Sequence, residues 1–192
     1  MQSGVQSAPM NHPRVSVELA SVALGSNLGD RKAYLCAGLR GLAATPRTSL
    51  LSLSRVYETE PMGPAGQGPY LNAAVRLATE LSPHELLARL LEIERSQGRE
   101  RSEERWGART LDLDLLLFGD RHIDDAVLSV PHPGLAERLF VLAPLCDIAA
   151  QEYHPGLGKT FAELAQGLGE DTGVRVWSGG SLGSVDAFAS KA

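Results

Sequence analysis

The stretch RTLDLDLLLFG, residues 109–119, constrains the fold of this chain more tightly than any other. Leu111, Leu113, Leu115 and Leu117 alternate with Asp112, Asp114, Leu116 and Phe118, and a strand sends alternate side chains to opposite faces. The two carboxylates therefore share a face. Farther along, both faces are apolar, which predicts a central strand buried on two sides with an acidic pair near its leading end. Two like charges in that setting require a chemical reason, because burying unpaired carboxylates is costly.

Periodicity and punctuation predict the neighbouring elements. A first strand over 15–24 leads through GSNLGDR into a helix from about Asp30, whose Leu35, Leu39 and Leu42 mark one face. A strand follows over about 50–59, then a Gly/Pro loop, EPMGPAGQGP. NAAVRLATEL sets Ala73, Val75 and Leu77 against Asn72, Arg76 and Glu80, the pattern of a half-exposed strand. In SPHELLARLLEIE, Ser82 is the N-cap, Pro83 the first helical residue and Glu85 completes a capping box. Leu86, Leu90 and Ile93 form the apolar stripe, widened by Leu87 and Leu91, and Glu94 extends the Leu87/Leu91 row. The order β-α-β-β-α-β predicts an α+β, ferredoxin-like core: a mainly antiparallel sheet with helices packed on one face. A hairpin turned at Gly119 and Asp120 and a last helix over about 135–145 are additions to that core.

Composition narrows the function. With 192 residues, 43% of them hydrophobic, the chain fits one domain, expected over 15–176. The ends, 1–14 and 177–192, are Gly/Ser-rich or polar and are expected to be flexible. A formal charge of −5 argues against broad nucleic-acid binding and favours a small-molecule partner. Cys36 and Cys146 lie far apart without C-x-x-C spacing, so neither a zinc site nor a disulfide framework is indicated. No signal-peptide pattern and no apolar run of about 20 residues appears, so a cytoplasmic protein with no membrane partner is expected.

By strand rise, Asp112 and Asp114 lie about 7 Å apart at their Cα atoms, near enough for their oxygens to converge on one or two cations. Oxygen-only ligation points to Mg²⁺. An isolated D-x-D is equally at home at a solvated strand end; burial of this strand on both faces favours a site. Arg99, Arg101, Arg105 and Arg109 precede the pair, with Trp106 among them and Gly98 and Gly107 as flexible points. With Glu100, Glu103 and Glu104 the segment reads as an ordinary solvated loop. Guanidiniums beside a carboxylate pair also fit a nucleotide site, where cations neutralise phosphate charge, and the segment's position makes it a candidate lid. GSNLGD lacks phosphate-loop spacing and is a strand-to-helix turn. His132, between Pro131 and Pro133, sits in a stiff loop, and Tyr70 and Phe140 are core aromatics by default.

Together these segments resemble one family, the 6-hydroxymethyl-7,8-dihydropterin pyrophosphokinases of folate biosynthesis. The resemblance runs over about 22–148 and rests on ALGSNLGDR, SRVYETEPMG, YLNAAV, ERWGARTLDLDLLLFG and VPHPGLAERLFVLAPL in the family's order. It implies transfer of pyrophosphate from ATP to the pterin hydroxymethyl oxygen, with release of AMP, by a monomer. It also implies that Asp112 and Asp114 hold two Mg²⁺ ions. Arg99 and Arg109 match arginines that contact phosphates and assist transfer. Glu94, Arg101, Trp106, Ser129, His132 and Arg138 fall at ATP-contacting positions. The pterin is expected between Tyr70 and Phe140, with Trp106 closing over it and its polar edge read by Asn72 and groups near Thr59. The match departs at Gly134, where many relatives carry a basic residue, at Ala150, where proline is common, and at Met62 in the pterin-side loop. Two other readings differ in kind: a nucleotide sensor without turnover has no need of the aspartate pair, and a two-metal phosphodiesterase needs further His and Asp ligands.

Overall fold

The structure is a computed structural model that describes residues 16–61, 66–98, 109–169 and 173–189. Chain order runs β1 (Glu18–Ser26), α1 (Arg31–Ala43), β2 (Thr48–Leu53), β3 (Tyr57–Thr59), β4 (Tyr70–Thr79), α2 (Pro83–Ser96) and β5 (Asp112–Phe118). The strands pair antiparallel in the order β5-β1-β4, with β2 and β3 end to end along the far side of β4. This is the ferredoxin-like arrangement, with the expected second strand broken in two. The break has a local cause: Ser54 donates its N–H to Ala74 O at 2.9 Å while its hydroxyl accepts from Ala74 N at 2.8 Å. A side chain thus replaces a backbone acceptor in the ladder.

Helix starts follow the sequence signals. Asp30 caps α1 by accepting from Ala33 N at 3.0 Å, and Ser82 and Glu85 close a reciprocal capping box on α2. Leu35, Leu39 and Leu42 of α1 and Leu86 and Leu90 of α2 are fully buried against Val22, Leu24, Leu113 and Leu115. Glu94 sits on that same buried row rather than beside Leu87 and Leu91, and is only 2% exposed.

The sheet is covered on both faces, not one. On the second face lie α3 (Leu139–Ala149) and α4 (Phe161–Gly167), whose Val141, Leu142, Leu145 and Phe161 form a separate core with Leu116, Leu117 and Leu135. β4 is therefore buried rather than half-exposed, with Ala74 and Asn72 both out of solvent. Residues 133–137 form turns, so α3 begins later than expected. The hairpin also shifts: β6 (Ile123–Asp124) pairs β7 (Ser129–Val130) around a turn in which Asp125 Oδ1 accepts from Val127 and Leu128 N–H. Gly119 and Asp120 instead make the preceding turn, closed by Arg121 N donating to Phe118 O.

β5 is an edge strand in pairing yet buried on both faces. A bulge changes its alternation: Val22 faces Leu115 while Ser21 faces Leu117, so Leu116 is the extra residue. Leu117 consequently joins the α3 side and Phe118 the α1/α2 side, reversing the simple odd-even reading. The C-terminal segment is described over 173–189. β8 (Arg175–Val176) pairs β3, Trp177 N donates to Val56 O at 2.9 Å, and Leu182 and Phe188 enter the main core. The tail expected to be flexible, 177–192, is described over 177–189, where two apolar residues of a Gly/Ser-rich segment pack into the main core. The expected N-terminal extension, 1–14, lies outside the described residues. Cys36 and Cys146 are free thiols. Among the described residues no helix is long and apolar enough to cross a membrane.

Candidate active site

The α3 side of the sheet has a floor of small residues at its β1–β5 end. In register, Gly25 lies between Asn72 and Asp112, and Ala23 between Ala74 and Asp114. A Cβ on Gly25 would stand 3.5 Å from Asn72 Oδ1 and 3.7 Å from Asp112 Cβ, so the missing side chain keeps the floor low. Thr59 and Tyr70 form one wall, and the loop bearing His132 and the start of α3, with Arg138 and Phe140, form the other. The cleft between them measures about 310 Å³. It brings together Thr59, Tyr70, Asn72, Arg109, Asp112, Asp114, His132, Arg138 and Phe140, all singled out by sequence.

Two expected nucleotide contacts stand elsewhere. Ser129, on β7, donates its hydroxyl to Asp124 Oδ1 at 2.9 Å and is outside the cavity lining. Glu94 lies behind the strand, where its Oε1 accepts from Leu113 N at 2.7 Å between the two aspartates. Arg99, Arg101 and Trp106, and with them the proposed lid, lie outside the described residues, as does Met62.

Charge in the cavity is arranged around Arg109. Its Nη1 donates to Asp112 Oδ2 at 2.6 Å. Burial alone would lower the guanidinium pKa, but attraction to Asp112, the hydrogen bond to it, and Asp114 raise it above the ordinary arginine value. The backbone of Arg109 is clamped by Asn27, whose Oδ1 accepts from Arg109 N at 2.7 Å and whose N–H donates to Arg109 O at 3.0 Å. Asn27 also donates through Nδ2 to Gln67 Oε1 at 2.9 Å, tying the arginine to the Gly/Pro loop. The sequence reading treated GSNLGD as a turn and missed this role. An amide with donors and acceptor on one short side chain is the signal that could have found it.

His132 is held in one state. Gly134 N–H donates to its Nδ1 at 3.1 Å, so in the neutral ring the proton rests on Nε2, which can donate. Burial and then Arg138 push its pKa below the ordinary value, with Asp112 opposing them weakly. The His132 N–H in turn donates to Leu116 O at 2.9 Å, so the β5 bulge fixes this loop. On the opposite wall Asn72 Nδ2 donates to Thr59 Oγ1 at 2.9 Å, which orients the Asn72 amide. Sequence reasoning also missed a clamp on α3: Asp147 accepts from Arg55 N, the Arg55 guanidinium and Tyr57 OH.

The donor set suits a hard divalent cation. Asp112 and Asp114 are both partly buried on one strand face and open on the cavity, while among the described residues no group of three or more His, Cys, Asp and Glu gathers. Two carboxylates leave most coordination positions to water and substrate oxygens, the pattern of Mg²⁺ at phosphate sites.

Comparison with known proteins identifies the family. Residues 21–150 match the family model described as 7,8-dihydro-6-hydroxymethylpterin-pyrophosphokinase (HPPK). The 2-amino-4-hydroxy-6-hydroxymethyldihydropteridine pyrophosphokinase of Bacillus subtilis (strain 168) is 45% identical over 170 residues, covering 88% of this chain and 95% of its own. The enzyme of the same name from Pseudomonas aeruginosa is 44% identical over 148 residues, 77% of this chain and 90% of its own. The crystal structure of wild-type Plasmodium falciparum HPPK-DHPS with STZ-DHP superposes with a TM-score of 0.62 at 14% identity, a likeness of fold. That alignment takes in 79% of this chain and 43% of the longer one, so the chain spans less than half of that protein. Because the match runs through every strand that lines the cavity, the chain belongs to the 7,8-dihydro-6-hydroxymethylpterin-pyrophosphokinase family.

Proposed function

We propose that this chain transfers the pyrophosphoryl group of ATP to 6-hydroxymethyl-7,8-dihydropterin, yielding the pterin pyrophosphate and AMP in folate biosynthesis. The observation that carries the reading is a single cavity in which a paired-carboxylate floor meets an aromatic wall and an oriented amide. The hydroxymethyl oxygen attacks the β-phosphorus, the bond from that phosphorus to the α–β bridging oxygen breaks, and the hydroxyl proton leaves to solvent. Asp112 and Asp114 would hold two Mg²⁺ ions, which supply neutralisation of phosphate charge when bound. Arg109, fixed by Asn27 and Asp112, presents a permanent positive charge to the transferring group.

His132 donates from Nε2 and Arg138 from its guanidinium to phosphate oxygens on the far wall. Tyr70 and Phe140 hold the flat pterin by its faces, and Asn72 beside Thr59 reads its edge. Arg99, Arg101 and Trp106 join from the segment before Arg109, with Arg99 assisting transfer; Ser129, outside the cavity lining, contacts only a part of ATP that extends beyond the cavity. Glu94 contributes from behind, through the strand that bears the aspartates. In this reading the enzyme is a cytoplasmic monomer with small-molecule partners and no nucleic-acid or membrane partner.

Incubation with ATP, Mg²⁺ and the hydroxymethyl pterin, followed by nucleotide chromatography, tests it. AMP in step with pterin pyrophosphate is the expected product. ADP would mean single phosphoryl transfer, and a folded sample without turnover would mean a nucleotide sensor.

A further inference from the structure

β3 is three residues long, yet it carries part of a cavity wall. Tyr57, Glu58 and Thr59 pair with Asn72, Leu71 and Tyr70 of β4, and Tyr57 and Glu58 meet Val176 and Arg175 of β8 on the other side. Thr59 is the last residue of β3 and Tyr70 the first of β4, so this end of the ladder is the one least held by it. Both residues line the cavity, whereas Glu58 points the other way, since alternate strand residues take opposite faces. Behind the wall, both Glu58 carboxylate oxygens are engaged. Oε1 accepts from Arg31 Nη1 at 3.0 Å and Oε2 from Arg175 Nη2 at 2.9 Å. The same Arg31 Nη1 also donates to Pro69 O at 2.7 Å, one residue before Tyr70.

We infer that Arg31 is a positioning residue for the pterin: through Glu58 and the Pro69 carbonyl it holds Thr59 and Tyr70 where a flat ring and its polar edge meet them, an inference that rests on the proposed reaction. One guanidinium nitrogen has two protons, and here they tie the strand that ends at Thr59 to the strand that starts at Tyr70. Its anchor is firm, because Arg31 is the first residue of α1, a helix capped by Asp30. The Arg31 and Glu58 side chains are 24% and 16% exposed, which shelters this pair from the screening that weakens surface ion pairs. Arg175 pairs with Glu58 and Glu60, both on the β3 side, whereas Arg31 spans both strands. The aspartates stand on β5, beyond β1, and β5 is pinned separately by Glu94. Loss of the brace therefore loosens the pterin wall and leaves the phosphate side in place.

The test uses the full chain with Arg31→Ala and Arg31→Lys. Equilibrium binding of 6-hydroxymethylpterin, followed by its fluorescence, is measured beside KM for each substrate, kcat and Tm. Arg31→Ala is expected to weaken pterin binding and raise the pterin KM roughly tenfold, the worth of one charge-assisted hydrogen bond. The KM for ATP and kcat are expected to stay within about twofold of wild type. Arg31→Lys keeps a cation with several donors on one nitrogen and should recover part of the lost affinity. Unaltered pterin affinity in Arg31→Ala, with or without a fall in Tm, overturns the inference, as does an equal loss for ATP and pterin. Should the wild-type chain bind no pterin, the proposed reaction fails separately, and amide hydrogen exchange decides this point: faster exchange over 58–59 and 70–72 in Arg31→Ala supports the brace, and unchanged exchange sinks it. If Arg31→Ala does not fold, Arg31→Gln is put through the same measurements.

Discussion

The Leu113 backbone N–H donates to Glu94 Oε1 at 2.7 Å, pinning β5 between its two aspartates to the last turn of α2. β5 is an edge strand, so this N–H faces away from β1 and would otherwise have no ladder partner. A carboxylate that is 2% exposed supplies the acceptor. Glu94→Ala leaves that donor buried and is expected to cost about 2 kcal/mol, in the range for hydrogen bonds to charged groups. Glu94→Gln retains an amide oxygen and should lose about half as much. Urea unfolding measures both, and a Mg²⁺ titration of activity should show a raised half-saturation for Glu94→Ala. Wild-type stability in that variant would mean that the bond clamps nothing.

The carboxylates themselves are expected to matter more to turnover than to folding. Asp112 and Asp114 are partly exposed at the cavity, so their replacement by Asn keeps the shape and removes the charge. Asp112→Asn or Asp114→Asn should reduce kcat by at least roughly 10³, the several kcal/mol that bound metal ions contribute to phosphate transfer. Chelation of divalent cations should abolish wild-type turnover, and added Mg²⁺ should restore it. A variant within a few-fold of wild type would remove the metal role from that residue.

Much of this was legible because the signals were local. The capping box at Ser82 and Glu85, the Leu35/Leu39/Leu42 stripe and the shared face of Asp112 and Asp114 each depend on neighbours within four residues. What alternation could not show was the bulge at Leu116. Leu115, Leu116, Leu117 and Phe118 are all apolar, so an inserted residue leaves no mark in the pattern. The burial of β4 on both faces depends on α3 arriving from later in the chain, and the split between β2 and β3 depends on Ser54 meeting Ala74. Likewise the Asn27 clamp joins residues distant in sequence, which no periodicity encodes.

The clamp of Arg55, Tyr57 and Asp147 predicts a two-sided pH dependence of stability. Burial alone would raise the Asp147 carboxyl, but hydrogen bonds from the Arg55 side chain and backbone and from Tyr57 hold it below its ordinary value. A depressed folded-state pKa gives stability that is present above the ordinary carboxylate range and lost as pH falls through the folded value. Tyr57 runs the other way. Burial, then Asp147, push its phenol up to about 12, so its contribution is complete below the ordinary phenol pKa of about 10 and lost as pH rises from there. Unfolding free energy measured across pH should therefore lose its acid slope from this group in Asp147→Asn and its alkaline slope in Tyr57→Phe. At neutral pH Asp147→Asn should cost about 2 kcal/mol. Arg55→Ala should cost less, because its side chain is 62% exposed and its ion pair is screened. Unchanged slopes in both variants would exclude the clamp as a source of pH dependence.

The docked C-terminal segment separates stability from catalysis. Leu182 and Phe188 reach the core formed by α1, α2 and the sheet, while the cavity lies on the opposite face under α3. Leu182→Ala removes apolar volume from a site 7% exposed and is expected to cost about 2 kcal/mol, with Phe188→Ala costing about 3 kcal/mol. Both should lower Tm by several degrees, since about 1 kcal/mol moves the Tm of a domain of this size by roughly 2–4 °C. KM values for ATP and pterin should stay within about twofold of wild type, because neither residue lines the cavity. The nearer part of the segment behaves differently. β8 pairs β3, and Arg175 bonds Glu58, the neighbour of Thr59, at 2.9 Å. Truncation after 174 removes that edge along with the two core residues, so it should raise the pterin KM as well as lower Tm. If Leu182→Ala or Phe188→Ala leaves Tm unchanged, the segment does not dock. If the truncation leaves the pterin KM unchanged, β8 does not hold the Thr59 wall.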